Sequence, residues 1–108
     1  PTAGAPYRDK PKMCLTEESF ASEPAGFIIG KRDGKNVIRA NVNGSVESLI
    51  AEGKRFVYES SSLTAVLKAR DFSVITAELK NGAKEADLGQ AAAMAVLLKS
   101  LADRYLYR

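Results

Sequence analysis

Leu63-Thr-Ala-Val-Leu-Lys-Ala69 and Phe72-Ser-Val-Ile-Thr-Ala-Glu-Leu79 are the two stretches that decide the fold. Both are rich in residues that favour strands, and only Arg70-Asp71 separates them, which is the spacing of a tight hairpin. A long helix is predicted to follow, because apolar residues then recur every three or four positions. These residues are Leu88, Ala91, Ala95, Leu98, Ala102 and Tyr105. Since this stripe must be buried, we expect the helix to pack across the hairpin.

The start of that helix carries a capping signal. Asp87 is predicted to cap it, and Gln90 follows three residues later, as in a capping box. Packing against the hairpin is expected to bury a set of aliphatic side chains from both elements. The set comprises Ile75, Ala77, Leu79, Val66 or Leu67, Leu98 and Leu101.

Length and composition indicate one domain. The chain has 108 residues, of which 45% are hydrophobic and 27% charged, as in ordinary globular proteins. No apolar run approaches the ~20 residues that cross a bilayer, so no transmembrane segment is expected. Its single cysteine, Cys14, is predicted to be a half-buried small apolar residue, and the lack of a disulfide pair favours a cytoplasmic location.

The N-terminal part divides into a tail and a short helix. Residues 1–12, which hold three of the four prolines, are predicted to be a flexible basic tail, and 13–108 a single α+β domain. Thr16 is expected to cap a helix within 13–22, because Glu17 and Glu18 follow where the helix dipole favours negative charge. Its inward side chains would be Met13, Leu15 and Phe20.

Two further β-rich runs predict a first hairpin. They are 27–29 and 37–42, and Asp33-Gly34 between them supplies the turn. Ser45 is then expected to cap a short helix that buries Val46, Leu49 and Ile50. Residues 55–59 are predicted to form a strand, although 54–62 also fits a continuation of that helix. The expected fold is therefore α+β: one antiparallel meander of about five strands, with the long C-terminal helix across one face.

The sequence contains no histidine, which removes the usual metal sites and the Ser-His-Asp and Cys-His catalytic groups. No metal and no cofactor are expected, and we predict that the protein is not an enzyme. Two carboxylate pairs, Glu17 with Glu18 and Glu85 with Asp87, are interpreted as charges at helix N-termini.

Basic and aromatic residues raise two binding hypotheses. Lys31, Arg32 and Lys35 at the first hairpin tip are candidates for contact with nucleic acid or anionic lipid, or simply belong to a solvated turn. Phe56, Tyr58 and Phe72 would stack on bases if they faced outward, whereas a core position is their other interpretation. For peptide binding, the tyrosines near the chain ends are candidates: Tyr7, Tyr105 and Tyr107.

Residues 63–108 resemble the C-terminal end of profilins. The resemblance is carried by Thr64-Ala-Val-Leu-Lys-Ala-Arg-Asp-Phe-Ser-Val-Ile-Thr-Ala-Glu-Leu79, by Gly89-Gln90 and by Leu98-Lys-Ser-Leu-Ala-Asp-Arg-Tyr-Leu106. It implies a final hairpin leading into a long helix, and actin or an actin-like protein as the partner. The partner-binding residues that it implies are Lys68, Arg70, Lys80, Lys84 and Gln90. The chain departs from the family in having no tryptophan and a short N-terminal helix.

The order of elements is also similar to that of roadblock and longin-type adaptors, which dimerise or support small GTPases. We therefore expect a non-catalytic protein-binding module of profilin-like type. A dimeric adaptor for a small GTPase is the first alternative, and a weakly basic protein that binds single-stranded nucleic acid is the second. A homodimer is also considered, and nucleic acid and anionic lipid rank below a protein as partners.

Overall fold

The structure is a computed structural model that describes residues 12–42, 44–80, 82–85 and 87–106. Its two helices are α1 (Glu17–Ser22) and α2 (Asp87–Leu106). Its strands are β1 (Lys12–Met13), β2 (Gly26–Arg32), β3 (Lys35–Val42), β4 (Ser45–Glu52), β5 (Arg55–Glu59), β6 (Leu63–Lys68) and β7 (Val74–Leu79). The tail predicted over 1–12 lies outside the described residues except for Lys12, which belongs to β1.

The strands form one sheet in the order β1 to β7. β1 is parallel to β2, and every later strand is antiparallel to the one before it. The predicted α+β class, the meander and the long terminal helix are therefore confirmed. The expected number of about five strands is too low, because the described residues contain seven.

The short helix predicted after Ser45 is wrong, since this segment is strand β4. Glycines with positive φ, Gly44 at 91° and Gly53 at 68°, form the turns at its two ends. Leu49 lies under α2, whereas Ile50 points to the opposite face, yet both are buried. Neighbouring buried residues on a strand covered on both faces break the apolar alternation, and this imitates a helical pattern.

Both predicted hairpins are present, with one correction. Asp33 and Gly34 adopt φ values of 54° and 79°, as a tight turn between β2 and β3 requires. The connection between β6 and β7 spans 69–73 and is longer than the two residues predicted. Phe72 has a φ of 61° in this turn, and its ring stacks on Phe56 with centroids 5.6 Å apart. Burial of the ring offsets the cost of that backbone conformation.

The stripe of α2 lies against the sheet as predicted. Ala91, Ala95 and Leu98 are buried, and the ring of Tyr105 lies 5.3 Å from that of Phe27 in β2. Asp87 is the first residue of the helix, and its carboxylate accepts a hydrogen bond from the Lys84 backbone N–H at 2.9 Å. The remaining core is formed by side chains on one face of β2 to β6. These include Phe27, Ile38, Ala40, Leu49, Phe56, Tyr58, Leu63, Ala65 and Leu67.

Part of the predicted core is exposed. Leu67, Leu98 and Leu101 are buried as expected, but Ile75, Ala77 and Leu79 of β7 are exposed. The main contacts of α2 are with β3, β4 and β6, so the helix crosses the middle of the sheet. A helix about 10 Å wide does not cover seven strands spaced ~4.8 Å apart. The last strand therefore lies beyond it.

The short helix α1 lies on the opposite face of the sheet. Thr16 caps it as predicted, since its hydroxyl oxygen accepts a hydrogen bond from the Ser19 N–H at 3.1 Å. Phe20 is buried, and Arg39 of β3 lies over its ring at 5.2 Å. Met13 and Leu15, which were expected to point inward, are 39% and 85% exposed because they precede the helix. Cys14 is buried rather than half-buried.

We expect Leu98→Ala to lower the free energy of unfolding by ~2–5 kcal/mol, because Leu98 is fully buried between α2 and the sheet. Val96→Ala is the matched control, since Val96 lies on the same helix and is 48% exposed; its effect should stay within ~0.5 kcal/mol. Urea unfolding of both variants measures the difference. Equal midpoints for Leu98→Ala and the parent would contradict this assignment of the core.

Candidate functional site

The outer edge of β7 is the most conspicuous surface of the described residues. Val74, Ile75 and Leu79 are 41%, 46% and 38% exposed, and the whole strand is accessible. No other strand in the described part of the chain pairs with its outer side. An edge strand presents unpaired N–H and C=O groups, and here large aliphatic side chains accompany them.

The hydrogen bonds to β6 define which backbone groups of β7 face outward. The Lys80 N–H donates to the Ser62 carbonyl oxygen at 2.8 Å, so Lys80 is joined to β6. Along an antiparallel pair, inward and outward residues alternate. Thr76 and Glu78 therefore also bond to β6, while the N–H and C=O groups of Ala77 and Leu79 point to the free edge.

Three turns collect positive charge at one end of the sheet. The turns β2–β3, β4–β5 and β6–β7 lie at the same end because consecutive strands are antiparallel, and the Ala69 N–H donates to the Lys54 carbonyl oxygen at 3.0 Å. We call this the basic end. Its cations are Lys31, Arg32, Lys35, Lys54, Arg55, Lys68 and Arg70, and its carboxylates are Asp33, Glu52 and Asp71. The basic end therefore has a net charge of +4, which exceeds the net charge of +3 of the whole chain.

Some of these cations are paired with carboxylates. Lys35 contacts Glu52 at 3.0 Å, and Arg32 contacts Glu59 at 3.8 Å. The second pair is notable because β3 and β4 lie between its two strands in the sheet. The twist of the sheet brings these corners together on the face opposite α2. The positive charge of the cluster Lys31, Arg32 and Lys35 at this hairpin tip is therefore partly neutralised.

The five residues implied by the profilin resemblance fall into two groups. Lys68 and Arg70 are exposed at the basic end, beside the start of β7. Lys84 and Gln90 are exposed beyond the other end of the strand, and Lys80 is half-buried there. Positive charge therefore flanks both ends of the exposed edge. Sequence reasoning missed the apolar centre between the two groups, because it assigned these side chains to the core.

Most of the candidate aromatic side chains point inward. Phe56 and Tyr58 are buried and Phe72 is half-buried, so the alternative that they stack on bases is wrong and their core interpretation is confirmed. Tyr105 is half-buried against Phe27. Tyr7 and Tyr107 lie outside the described residues, so the peptide-binding hypothesis stays a prediction.

Glu47 and Tyr58 form a polar pair within the core face of the sheet. Both are buried, and the Tyr58 hydroxyl donates a hydrogen bond to the Glu47 carboxylate. They line a cleft of about 190 Å³ that also reaches Gln90 at the start of α2. Burial raises the pKa of Glu47 from its ordinary value of 4.5 to about 7. This pair was not predicted, since neither residue belongs to a motif.

A second cavity, of about 320 Å³, lies between α2 and the sheet near the basic end. Small side chains at Ala51, Ala69 and Ala102 leave this space. Lys99 stands at its rim and is paired with Asp103 one helical turn away. The volume lies at the lower end of the range for ligand pockets, and its lining is mainly apolar.

Two of the carboxylates at the helix N-termini, Glu17 and Asp87, have hydrogen-bond partners. Glu17 is paired with Arg39, and this hydrogen bond lowers the pKa of the Glu17 carboxyl. Among residues 12–42, 44–80, 82–85 and 87–106, no three His, Cys, Asp or Glu side chains are grouped as metal ligands would be. Neither helix of this described portion combines the length and apolar composition that a membrane crossing demands.

Comparison with known proteins adds no relative. No protein-family model matches the chain, and neither the curated protein sequences nor the solved structures give a match.

We expect the pKa of Glu47 to make stability depend on pH. A carboxyl whose pKa is raised in the folded state binds its proton more tightly there, so the contribution is full below about 4.5 and is lost as the pH rises to about 7. The loss is at most ~3 kcal/mol. Glu47→Gln keeps an acceptor for Tyr58 and removes the titration, so it should become more stable than the parent above pH 7.

Urea unfolding of the parent and Glu47→Gln at a series of pH values tests this expectation. The difference between the two proteins isolates Glu47 from other carboxyls such as Glu17 and Asp71, whose pKa values hydrogen bonds lower. A constant difference from pH 4 to pH 9 would contradict the assigned burial and pKa of Glu47.

Proposed function

We propose that this chain is a non-catalytic protein-binding module whose partner binds along the edge of β7. One observation carries the proposal: an edge strand with exposed Val74, Ile75 and Leu79 lies between two groups of cations. Exposed aliphatic side chains on a strand edge are costly in a protein that stays alone, because they promote pairing with other chains. Binding of a partner that covers these side chains would explain why they are exposed.

The chemistry of the edge favours addition of a strand. The outward N–H and C=O groups of Ala77 and Leu79 can bond to an extended segment, which supplies affinity independent of sequence. Ala77 and Leu79 face the α2 side of the sheet, because they oppose Ala65 and Leu63, which belong to the core. An aliphatic residue of the partner on that side would extend the apolar surface.

The flanking cations favour an acidic partner. Lys68 and Arg70 at one end, and Lys80 and Lys84 at the other, raise the encounter rate with a negatively charged surface, while the apolar centre contributes most of the affinity. The profilin resemblance implies actin or an actin-like protein as that partner. It also implies that Gln90 contacts this partner. An adaptor role toward a small GTPase remains the alternative occupant of the same edge.

We expect the parent to bind monomeric actin or an actin homologue and to slow its polymerisation at tens of micromolar. Ile75→Ser should weaken binding about tenfold, because it removes an apolar contact at the centre of the edge. Arg70→Glu and Lys84→Glu should mainly slow association and change its salt dependence. Val96→Ser is the matched control, since Val96 is equally exposed but lies on α2.

Two outcomes would count against this proposal. If the parent neither binds nor slows polymerisation, actin is excluded as the partner, and the small GTPase takes its place in the same assay format. If Ile75→Ser and Val96→Ser weaken binding of any partner equally, the β7 edge is not the binding surface.

A second candidate function, binding of single-stranded nucleic acid, is favoured by the basic end. The three turns gather cations that are separate in the sequence, including Lys54 and Arg55 at the same end of the sheet as Lys31. The inward position of Phe56 and Tyr58 removes the expected stacking contacts, so backbone phosphates are the remaining target.

If this second function holds, affinity for an arbitrary oligonucleotide should fall at least about tenfold between ~50 and ~200 mM salt. The double variant Lys54→Glu, Arg55→Glu should reduce the salt dependence, whereas Lys84→Glu, at the opposite end of the sheet, should leave it unchanged. Fluorescence anisotropy with a labelled oligonucleotide measures both effects. Absence of binding at low salt would exclude this candidate.

A further inference from the structure

We propose that two copies of this chain pair through β7, antiparallel to each other, about a twofold axis that passes beside Ala77. The proposal rests on the proposed function, because it names one occupant of the same edge. It commits to a register in which Ala77 of one copy opposes Ala77 of the other. The two sheets then join into one of fourteen strands, seven from each copy, with both α2 helices on the same side.

The backbone of β7 is suited to this register. Ala77 and Leu79 point their N–H and C=O groups to the free edge, and Ile75 precedes them as the extra residue of the bulge opposite Leu67. With Ala77 on the axis, Ile75 opposes Leu79 of the other copy. The outward groups of Ala77 then meet those of Ala77 in the other copy and form a hydrogen-bonded pair on the axis.

The side chains of β7 repeat symmetrically about Ala77. On the α2 side, the register places Ile75 beside Leu79 of the other copy twice, with the two alanines between these pairs. Aliphatic pairs directly opposite each other stabilise antiparallel strands. On the other face, Thr76 opposes Glu78, and the Thr76 hydroxyl is a donor for that carboxylate. The pattern of Ile75, Ala77 and Leu79, with a large aliphatic residue on each side of an alanine, is therefore complementary to itself in an antiparallel pair.

Other registers are less favourable. A shift of one residue places apolar side chains on the face away from α2 and breaks the apolar row. An axis at Glu78 sets the two Glu78 carboxylates against each other, and like charges directly opposite are destabilising. An axis at Thr76 opposes Val74 to Glu78. Only the axis at Ala77 combines apolar pairs with no opposed like charges.

The protective features of this edge lie at its ends. The bulge at Ile75 and the positive charge of Lys80 are devices that discourage strand pairing, and they lie toward the two ends of the strand. The stretch between them, from Thr76 to Leu79, carries one charged side chain, Glu78, which faces away from the α2 side. The stretch without such features therefore includes every residue of the proposed contact except Ile75.

Pairing of one strand buries less surface than the ~1,200–2,000 Å² of stable protein complexes. The dimer is therefore weak, with dissociation at concentrations on the order of 0.1 mM, and it covers the edge at high concentration. A tighter partner displaces the second copy, so dimerisation and partner binding exclude each other.

Cysteine cross-linking tests the register. In a Cys14→Ala background, Ala77→Cys places two sulfurs opposite each other, since Cα atoms of a hydrogen-bonded pair are ~5.5 Å apart, within reach of a disulfide. Leu79→Cys alone is the matched control, because its two copies are displaced by ~13 Å along the strands. Mixing Ile75→Cys with Leu79→Cys should again give a cross-link, between unlike chains.

The expected result is a covalent dimer from Ala77→Cys at ~0.1 mM under mild oxidation, at a yield at least tenfold above that of Leu79→Cys. Equal yields at both positions indicate random collision and overturn the proposal. No cross-link at Ala77 overturns it as well.

Analytical ultracentrifugation supplies a second measurement with charge variants. The mean mass of the parent should rise from 11.6 kDa toward twice that value with concentration. Ala77→Lys sets two cations against each other and should keep the chain monomeric, whereas Thr76→Lys places each cation opposite Glu78 and should retain or strengthen the dimer. If both variants dissociate equally, the register is wrong.

A parent that stays monomeric at every concentration overturns the dimer, yet leaves partner binding to be decided by Ile75→Ser and its control at low concentration. A dimer that forms while no partner binds at the edge would overturn the partner-binding role alone.

Discussion

Burial of the α2 stripe against the middle of the sheet is the interaction on which the rest of the structure depends. Ala91, Ala95 and Leu98 bring the helix close to the strands, and their burial removes apolar surface from both elements. The meander provides a continuous surface for packing of this helix, because each strand pairs with the next in sequence. No strand has to cross another, so local contacts build most of the fold.

The same interaction creates the exposed edge. A single helix covers a limited width, and its main contacts end at β6. β7 extends the sheet past the cover, with its aliphatic side chains still on the α2 side. The surface that we associate with binding is thus a consequence of the number of strands, rather than of an unusual sequence motif. A partner strand and a second copy would both cover the same part of the core face, which α2 leaves exposed.

The core face also contains a polar exception. Glu47 opposes Ala40 across the β3–β4 pair and lies under the helix, where the Tyr58 hydroxyl compensates part of the cost of burying a carboxyl. The pKa of Glu47 is raised because the rest of this burial cost still disfavours the charged carboxylate. Polar groups of this kind restrict the alternative packings of a core, because they are satisfied in one arrangement only.

Elements whose signals are local could be predicted from the sequence. The turn dipeptide Asp33-Gly34, the Thr16 cap and the apolar period of α2 each depend on neighbouring residues, and all three appear in the structure as expected. The tertiary structure determined the features that depend on distant strands. It made β4 a strand, because burial on both faces hides alternation, and it left Ile75 and Leu79 exposed, because the position of α2 over β3 to β6 is set by the whole sheet. It likewise gathered the basic end, since antiparallel connection brings together turns that are about twenty residues apart.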